Sequence, residues 1–398
     1  MEPDKSINLK VFKVCFYLTL ISNLTIYIAQ PFDIMLLATL ASRCFMLSNL
    51  VAFLFAVNHS INKYVPYKTE QIITIICMVC FSFLSFLLSS NLGLYNYVIR
   101  MFCYLALPFY LLYMDYLKPD RKMLYFTFLI NFLTSIVFTL LSFSKYKYAG
   151  YESFIGTSGA WLTLGYDNPN QTAMYLVITI IILLCTMNYF KKLWIKVLNL
   201  LDIFYMCWLL LETSSRTCIG IAVIILALLL LKRKYDIPKT LIVGILLLPA
   251  FFMVFYPFLY EHGWIYFLEF RGKADYSSRS YIFQTVLSSV QKKFLFGDFS
   301  SYQLQNLHNG ILSVYSSLGL AGLLLFYIYY LRAYIHILAN KIKSRTAYIS
   351  FLGLLAVFLH ACTESAFLVG GSMFAGSLSV LIFLVKLDWN EVERQHGG

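Results

Sequence analysis

Runs of about 17 or more predominantly apolar residues, the length that a membrane-spanning helix needs, recur along the whole chain. Polar connections separate them, so the pattern predicts an all-α polytopic membrane protein of about twelve transmembrane helices. The predicted spans are 11–29, 34–57, 71–90, 97–116, 123–142, 172–190, 195–211, 217–231, 239–258, 311–331, 346–363 and 367–386. The first has no small-residue cleavage site behind it, so we expect a retained helix. Residues 1–398 are expected to form one integral membrane domain.

The composition agrees with a chain that is solvated largely by lipid. Hydrophobic residues make up 60% of the 398 residues, and charged residues make up only 13%. A soluble globular domain carries about 25% charged residues, roughly twice that fraction. The composition therefore argues against an ordinary soluble fold.

The basic residues are concentrated in alternate connections between the predicted spans. Lys and Arg cluster in every even-numbered connection, for example at Lys118, Lys192, Arg233 and Lys341. Because cytoplasmic loops carry the excess of Lys and Arg, these connections and both termini are expected in the cytoplasm. The formal net charge of +12 is then explained by membrane topology, and no nucleic-acid partner is expected.

The nine cysteines give no metal-binding or disulfide pattern. Cys77 and Cys80 form a CxxC pair, but it lies inside the third predicted span and has no second pair. A structural zinc site needs four ligands. We therefore expect no metal, and we expect the cysteines to be free thiols within the membrane.

Two long connections, at 143–171 and 259–310, are predicted to lie outside the cytoplasm. The second, between spans 9 and 10, contains apolar residues at helical spacing over 277–297. With Gly297 at its end, this stretch predicts a helix that lies along the membrane surface. Arg279 falls in its first turn, where the helix dipole disfavours a cation unless an anion binds there. A contact with a lipid phosphate is the alternative interpretation.

Polar clusters open three of the predicted spans at the same outer face. Asn170 opens the sixth span, Arg216 the eighth, and His308 with Asn309 the tenth. Helix capping explains asparagine and serine at such positions, but it does not explain an arginine or a histidine. Positive helix ends, arginines and one titratable base together predict a site for a phosphate-bearing substrate whose tail lies in lipid.

Other polar residues are candidates for supporting roles. Arg43 lies within the second predicted span, where a charged side chain costs about 2.5–3.5 kcal/mol and normally faces a cavity or a partner. Glu212, Glu364 and Asp33 lie near the predicted outer surface and are candidate partners for the arginines. His360 lies in an apolar helix and is expected to be a hydrogen-bonded structural residue.

A spaced motif and two shorter segments carry a resemblance to a known family. His308, a small polar residue, nine residues, Gly319, two residues and Gly322 match the motif of the O-antigen ligase and Wzy-type polysaccharide polymerase superfamily. The segments SSRT (214–217) and DNPNQTA (167–173) resemble two of its helix starts, although the second contains an extra asparagine. The resemblance covers about residues 165–332.

The resemblance implies a bacterial membrane glycosyltransferase that uses polyprenyl-diphosphate-linked sugars. It implies a GT-C-like fold in the cytoplasmic (inner) membrane and an inverting, metal-independent transfer without a cofactor. His308 is assigned as the base or the group that orients the acceptor, and Arg216 and Arg279 as ligands of the diphosphate. The supporting residues are Asn309, Asn170, Arg43, Gly319 and Gly322. Expected partners are a polyprenyl-diphosphate-linked oligosaccharide, membrane lipid, a chain-length regulator and a flippase.

Three functions stay open at this point. We favour a repeat-unit polymerase at the outer face of the cytoplasmic membrane, because the central loop is modest and the chain is rich in Tyr, Phe and Ile. An O-antigen ligase, which transfers glycan to a lipid-A core, shares the same motif. A flippase for lipid-linked oligosaccharide belongs to a different class. It is expected to show paired halves or interrupted helices, and no long outer loop that ends in a histidine motif.

Overall fold

A computed structural model describes residues 3–62, 66–88, 94–148, 161–166, 168–190, 192–231, 239–262, 293–298, 309–340, 342, 344–361, 364 and 372–387. Within these ranges every regular element is helical. The α helices are α1 (Pro3–Ala29), α2 (Met35–Asn62), α3 (Pro66–Leu87), α4 (Leu94–Tyr113), α5 (Arg121–Ser142), α6 (Pro169–Tyr189), α7 (Leu193–Glu212), α8 (Arg216–Leu231), α9 (Lys239–Glu261), α10 (Gly310–Asn340), α11 (Arg345–His360) and α12 (Ser372–Lys386). A 3-10 helix, Lys145–Tyr148, follows α5. One α helix lies at each predicted span.

Seven of these helices are long and apolar enough to cross a membrane, namely α1, α2, α3, α5, α6, α7 and α10. The helices α8 and α11 are also apolar but shorter. The chain is therefore an all-helical polytopic membrane protein, as the hydrophobic pattern predicts. Membrane crossing by the other five helices stays a prediction.

The centre of the bundle is formed by α6 and α11. Most side chains of α6 and nearly all of those of α11 are buried. A Cβ atom placed on Gly353 of α11 would lie 3.1 Å from side-chain atoms of Ile181 in α6 and of Leu381 in α12. Small residues allow membrane helices to approach this closely, so Gly353 lets α11 pack between its two neighbours.

Polar pairs join α7, at the lipid-facing periphery, to α5. The hydroxyl of Ser135 donates to Asp202 Oδ2 at 2.7 Å, and the hydroxyls of Ser142 and Tyr205 lie 2.6 Å apart. Such hydrogen bonds between neighbouring helices stabilise membrane bundles by roughly 1 kcal/mol each. The acidic side chain in the middle of α7 is thus used to hold two helices together.

Ion pairs gather at the end of the bundle that is predicted to face the cytoplasm. Lys13 of α1 pairs with Asp120, whose carboxylate also accepts the amide of Met123 at 2.9 Å and so caps α5. Burial alone would raise the pKa of Asp120, but these two contacts lower it below its ordinary value. Glu70 pairs with Arg332 at the same end. The first and last turns of several helices are therefore tied together there.

A second pair at this end is almost fully buried. Lys386, the last residue of α12, lies 3.0 Å from Asp115 Oδ1, and the side chains of both residues are 4% exposed. The Lys386 ammonium also donates to the carbonyl of Leu111. Removing one partner of a buried pair leaves an uncompensated charge. This pair should therefore matter more for stability than the exposed pair of Glu70 and Arg332.

Replacing Lys386 by methionine is expected to lower the free energy of unfolding by about 3–5 kcal/mol. The double variant Lys386→Met/Asp115→Leu should recover most of this loss, because it leaves no charge unpaired. Thermal unfolding of the purified protein in detergent measures both variants. A single variant as stable as the wild type, or a double variant less stable than the single one, would contradict this account.

The helix α10 is interrupted at Gly319, where the backbone has φ 66° and ψ −171°. Residues 293–298, which we call the inserted segment, pair with α10 at this interruption. The amide of Leu320 donates to the carbonyl of Phe294 at 3.0 Å, and the amide of Ala321 donates to that of Leu295 at 3.2 Å. By helix geometry the interruption lies about 13 Å from the start of α10. It is therefore expected well below the membrane surface.

Two carbonyl groups at the interruption are also hydrogen-bonded. The amide of Asp298 donates to the carbonyl of Ser316 at 2.7 Å, and the hydroxyl of Ser85 in α3 donates to the carbonyl of Ser317 at 3.0 Å. Unpaired backbone groups are very unfavourable in a membrane. The inserted segment therefore makes the interruption tolerable, and it fixes this part of the long connection against α10.

Two glycines make this close contact possible. Gly297 has φ 70°, and a Cβ atom there would lie 2.7 Å from the carbonyl carbon of Ser317. A Cβ atom on Gly319 would lie 2.5 Å from the amide nitrogen of Gly297. Gly297 also donates its amide to the carbonyl of Lys293 at 2.8 Å. Residues 277–292 of the predicted surface helix lie outside the described residues, so the role of Gly297 in ending it stays a prediction.

Replacing Gly319 by alanine is expected to lower the free energy of unfolding by about 2 kcal/mol or more, because its backbone conformation is essentially restricted to glycine. Gly297→Ala should behave similarly. Gly220→Ala and Gly244→Ala are matched controls, since a Cβ atom at either position meets no atom within 4 Å. Thermal unfolding in detergent compares the four variants. Equal stability of all four would show that the inserted segment contributes nothing to the fold.

Candidate functional site

The start of α6 is capped by Asn168, one of the two asparagines that open this helix. Asn168 precedes the helix, and its side-chain oxygen accepts the amide of Asn170 at 2.8 Å. Pro169 occupies the first helical position, where a missing amide proton does no harm. The side chain of Asn170 is thereby held at the end of the bundle that is predicted to face outside.

The chain that leads into α6 is fixed by aromatic packing and hydrogen bonds. The hydroxyl of buried Tyr166 donates to the carbonyl of Tyr27 at 2.9 Å, and its ring packs against Phe138 and Tyr175. Burial raises the pKa of Tyr166 well above its ordinary value, so the hydroxyl stays protonated and can donate. The first turn of α6 is consequently held in place from its preceding loop.

The turn between α7 and α8 places Arg216 at the first position of α8. Thr213, Ser214 and Ser215 of this turn are buried, and Ser214 has the unusual φ of 53°. The hydroxyl of Thr213 accepts the amide of Ser215 at 3.3 Å. Among the described residues, the buried Ser215 hydroxyl has no hydrogen-bond partner. Arg216 itself is partly exposed.

The start of α10 is capped by Asn309, which is fully buried. Its side-chain oxygen accepts the amides of Ile311 and Leu312, each at 2.9 Å. The amide of Gly310 donates to the carbonyl of Ala361, just past the end of α11, at 3.0 Å. Asn309 therefore caps α10, as its position in the sequence predicts. The contact with Ala361 shows that α10 begins against the end of α11.

Contacts of Asn170 bring the three helix starts together. The Asn170 side-chain amide donates to Glu364 Oε1, past the end of α11, at 2.9 Å. The thiol of Cys218, in the first turn of α8, lies 3.7 Å from the Asn170 carbonyl oxygen. Since α10 also begins against the end of α11, the N-terminal ends of α6, α8 and α10 meet around it. We call Asn170, Arg216, Asn309 and Glu364 the helix-end cluster.

The electrostatics of this cluster favour an anion. Each helix N-terminus carries the equivalent of roughly half a positive charge, and three of them meet here. Arg216 adds a full positive charge at the first turn of α8, and Glu364 supplies a carboxylate that is 8% exposed. The helix dipoles favour phosphate at such ends, whereas the first-turn amides of α6 and α10 are already used by their caps and by carbonyl groups. The arrangement can therefore bind phosphate beside one buried carboxylate.

An ion pair lies beside the cluster, in the turn that precedes α8. The Lys147 ammonium lies 2.8 Å from Glu212 Oε2, and the indole of Trp208 donates to Glu212 Oε1 at 2.9 Å. The hydrogen bond to Glu212 raises the pKa of Lys147 above its ordinary value. Glu212, a candidate partner for the arginines by sequence, is thus paired with a lysine.

The other predicted site residues are not part of the helix-end cluster or lie outside the described residues. Arg43 is exposed on α2. Gly319 and Gly322 are part of the interruption of α10, so their role there is in the backbone. His308 and Arg279 lie outside the described residues, as does most of the predicted surface helix. Within the described residues, no group of three or more His, Cys, Asp or Glu side chains could hold a metal ion.

Glu364 is the member of the cluster whose role the sequence does not reveal. By sequence, Glu364 is one of three acidic candidates for a partner of the arginines. Its actual partner, Asn170, lies 194 residues away in the chain, so the sequence does not show the pair. The signal available in the sequence was an acidic residue within the apolar end of the chain, "FLHACTESAFL". An ionisable residue in such a setting is a candidate functional residue.

The sequence matches no protein-family model and no curated protein. The resemblance to the O-antigen ligase and Wzy-type polymerase superfamily therefore rests on the motifs of the sequence.

Proposed function

We propose that this protein is a Wzy-type polysaccharide repeat-unit polymerase. It transfers a growing glycan from polyprenyl diphosphate to a lipid-linked repeat unit at the outer face of the bacterial cytoplasmic membrane. The observation that supports this proposal most is the meeting of three helix N-termini and Arg216 at one end of a membrane bundle. A diphosphate joined to a lipid tail and to a sugar matches such a location, because the site lies at the end of apolar helices.

The proposed reaction is a substitution at the anomeric carbon of the donor sugar. An acceptor hydroxyl forms the new C–O bond, the bond to the diphosphate oxygen breaks, and the configuration inverts. Arg216 and the positive helix ends stabilise the negative charge that develops on the leaving diphosphate. Arg279 is assigned the same role. Because the diphosphate is already a good leaving group, no nucleotide or metal ion is needed.

His308 is proposed to take the proton of the acceptor hydroxyl. Histidine titrates near neutral pH and serves as the most common general base. His308 precedes Asn309, the buried cap at the cluster. We also propose twelve spans and both termini in the cytoplasm, which the apolar runs and the basic connections predict, and the GT-C-like fold that the resemblance implies. Asn170 and Asn309 shape the site.

A ligase that transfers glycan to a lipid-A core would use the same cluster and is the second candidate. A flippase is the third candidate, and the interruption of α10 is an observation that favours it. Two facts weigh against a flippase. The inserted segment pairs with the freed backbone groups, so they are not left open for a transported ligand. Among the described helices, α10 alone shows non-helical backbone torsions inside it.

The test is the cell-surface glycan of a strain that lacks the gene. A polymerase predicts surface glycan made of single repeat units. Uncapped lipid-A core with full-length polymer on its lipid carrier would indicate a ligase. Accumulation of lipid-linked units inside the cell would indicate a flippase. Either of the last two outcomes would overturn the proposal.

A further inference from the structure

The starts of α5 and α7 carry positive charge that the described part of the protein does not neutralise. Arg121 is exposed at the first position of α5, Lys192 is exposed just before α7, and Lys196 is exposed one turn further on. Among the described residues, none of the three forms an ion pair with a carboxylate. Other cations at this end of the bundle are paired in this way, namely Lys13, Arg332 and Lys386. We call Arg121, Lys192 and Lys196 the α5–α7 basic patch.

Contacts with aromatic residues place the members of this patch on one surface. Arg121 Nε donates to the hydroxyl of Tyr125 at 2.6 Å. The ring of Tyr125 stacks on that of Phe190, with the ring centroids 5.6 Å apart. Phe190 immediately follows α6 and precedes Lys192 by two residues, so the Cα atoms of these two lie within about 7.6 Å of each other. The patch is therefore shared by the start of α5, the end of α6 and the start of α7.

Next to the patch, α7 exposes an apolar face. Leu193 and Trp194 are 75% and 61% exposed, and Phe204 continues the exposed apolar surface further along the helix. Lys196 lies on the same face as Leu193 and Leu200, because residues three and four apart are neighbours on a helix. Tryptophan beside a charged residue is typical of the membrane–water interface. A cation of the patch therefore lies beside a surface that acyl chains cover.

This arrangement is complementary to an anionic phospholipid. Its headgroup phosphate accepts charge-assisted hydrogen bonds from guanidinium and ammonium groups, and basic pockets between membrane helices at the cytoplasmic side bind such headgroups. The first turn of α7 contains no acidic residue, although the positive end of the helix dipole would favour one there. Basic connections also direct membrane topology, but topology alone requires no contact between three cations and an exposed apolar face.

We propose that the α5–α7 basic patch binds the headgroup of an anionic phospholipid, whose acyl chain lies along the exposed face of α7. The headgroup phosphate contacts Arg121, Lys192 and Lys196 and so joins the start of α5 to the start of α7. This link adds to the hydrogen bonds of Ser135 and Ser142, which hold α7 against α5. The inference is independent of the proposed glycosyl transfer.

The test measures binding of lipid to the full-length protein purified in a neutral detergent. The probes are phosphatidylglycerol and phosphatidylcholine with the same acyl chains, and inorganic phosphate without lipid. We expect Kd for phosphatidylglycerol to be at least about tenfold smaller than that for phosphatidylcholine. Phosphatidylglycerol should also raise the melting temperature, because a ligand that binds the folded protein stabilises it. A higher salt concentration should weaken the preference, since exposed charges are screened.

The double variant Lys192→Gln/Lys196→Gln removes two charges of the patch and keeps polar side chains. We expect its Kd for phosphatidylglycerol to rise about tenfold, while binding of phosphatidylcholine stays unchanged. Arg121→Gln should shift Kd in the same direction. The matched control is Lys10→Gln/Arg332→Gln, which removes two exposed cations from α1 and α10 at the same end of the bundle. This control should bind phosphatidylglycerol as the wild type does.

Three results would overturn the proposal. If the patch variant and the control variant bind phosphatidylglycerol equally well, the basic residues serve membrane topology only. If the wild type does not distinguish phosphatidylglycerol from phosphatidylcholine, the patch has no preference for an anionic headgroup. If inorganic phosphate raises the melting temperature as much as phosphatidylglycerol does, the patch binds free phosphate instead of lipid. Melting without lipid should be the same for all variants, because the substituted side chains are exposed.

Discussion

Replacing Arg216 by alanine is expected to abolish polymer formation while the protein remains in the membrane. Arg216 begins α8 at the point where three positive helix ends meet, and the proposed reaction develops negative charge on the diphosphate there. Removing one such preorganised group lowers the rate of the chemical step by about 10²–10³-fold. Arg279→Ala is expected to have the same effect. Gel analysis of the glycan, with immunodetection of the protein in membranes, measures both.

A lysine at position 216 should restore only part of the activity. Lysine keeps the charge but lacks the planar fork that binds two phosphate oxygens at once. Arg332→Ala is the matched control, because Arg332 pairs with Glu70 at the opposite end and this exposed pair contributes at most about 1 kcal/mol. Its polymer should be of normal length. If Arg216→Ala made polymer of normal length, Arg216 would serve only to anchor α8 at the membrane interface.

Features that depend on neighbours in the chain were predictable from the sequence. A long apolar run needs only its own backbone hydrogen bonds in order to be helical in a membrane, and a helix lies at each predicted span. The caps Asn168 and Asn309 act within their own first turns, so the sequence indicates an asparagine cap at both helix starts, although it does not choose between Asn168 and Asn170. That three helix starts lie at one end followed from the alternation of the spans.

Features that depend on distant parts of the chain were not predictable in this way. Gly319 and Gly322 are recognisable in the sequence as part of the family motif. The interruption of α10 is not, because it depends on backbone groups of the inserted segment. The pair of Asn170 and Glu364 and the pair of Lys147 and Glu212 join residues on different helices or loops. The sequence gives three acidic residues near the predicted outer surface as candidate partners for the arginines, and it gives no way to choose among them. Only the packing of the bundle assigns their partners.

Replacing His308 by glutamine tests whether the residue acts as the base. Glutamine keeps a polar side chain of similar reach, so an interfacial residue would tolerate the change. It cannot accept the proton of the acceptor hydroxyl, and a positioned base contributes about 10²–10⁴-fold in rate. We therefore expect the transfer rate of the purified variant to fall by at least about tenfold. Binding of the sugar-free polyprenyl diphosphate should persist, because that contact is assigned to Arg216 and Arg279.

The pH dependence of wild-type transfer is an independent test of whether His308 acts as the base. A histidine that acts as a base must be neutral, and imidazole ordinarily titrates at about 6.5. Wild-type transfer should decline as the pH falls through this range, whereas the residual activity of His308→Gln should stay flat. His336→Gln is the matched control, since His336 lies in the distant half of α10 and should leave the profile unchanged. Wild-type turnover by His308→Gln across the range would refute the assignment. His308 would then at most orient the acceptor.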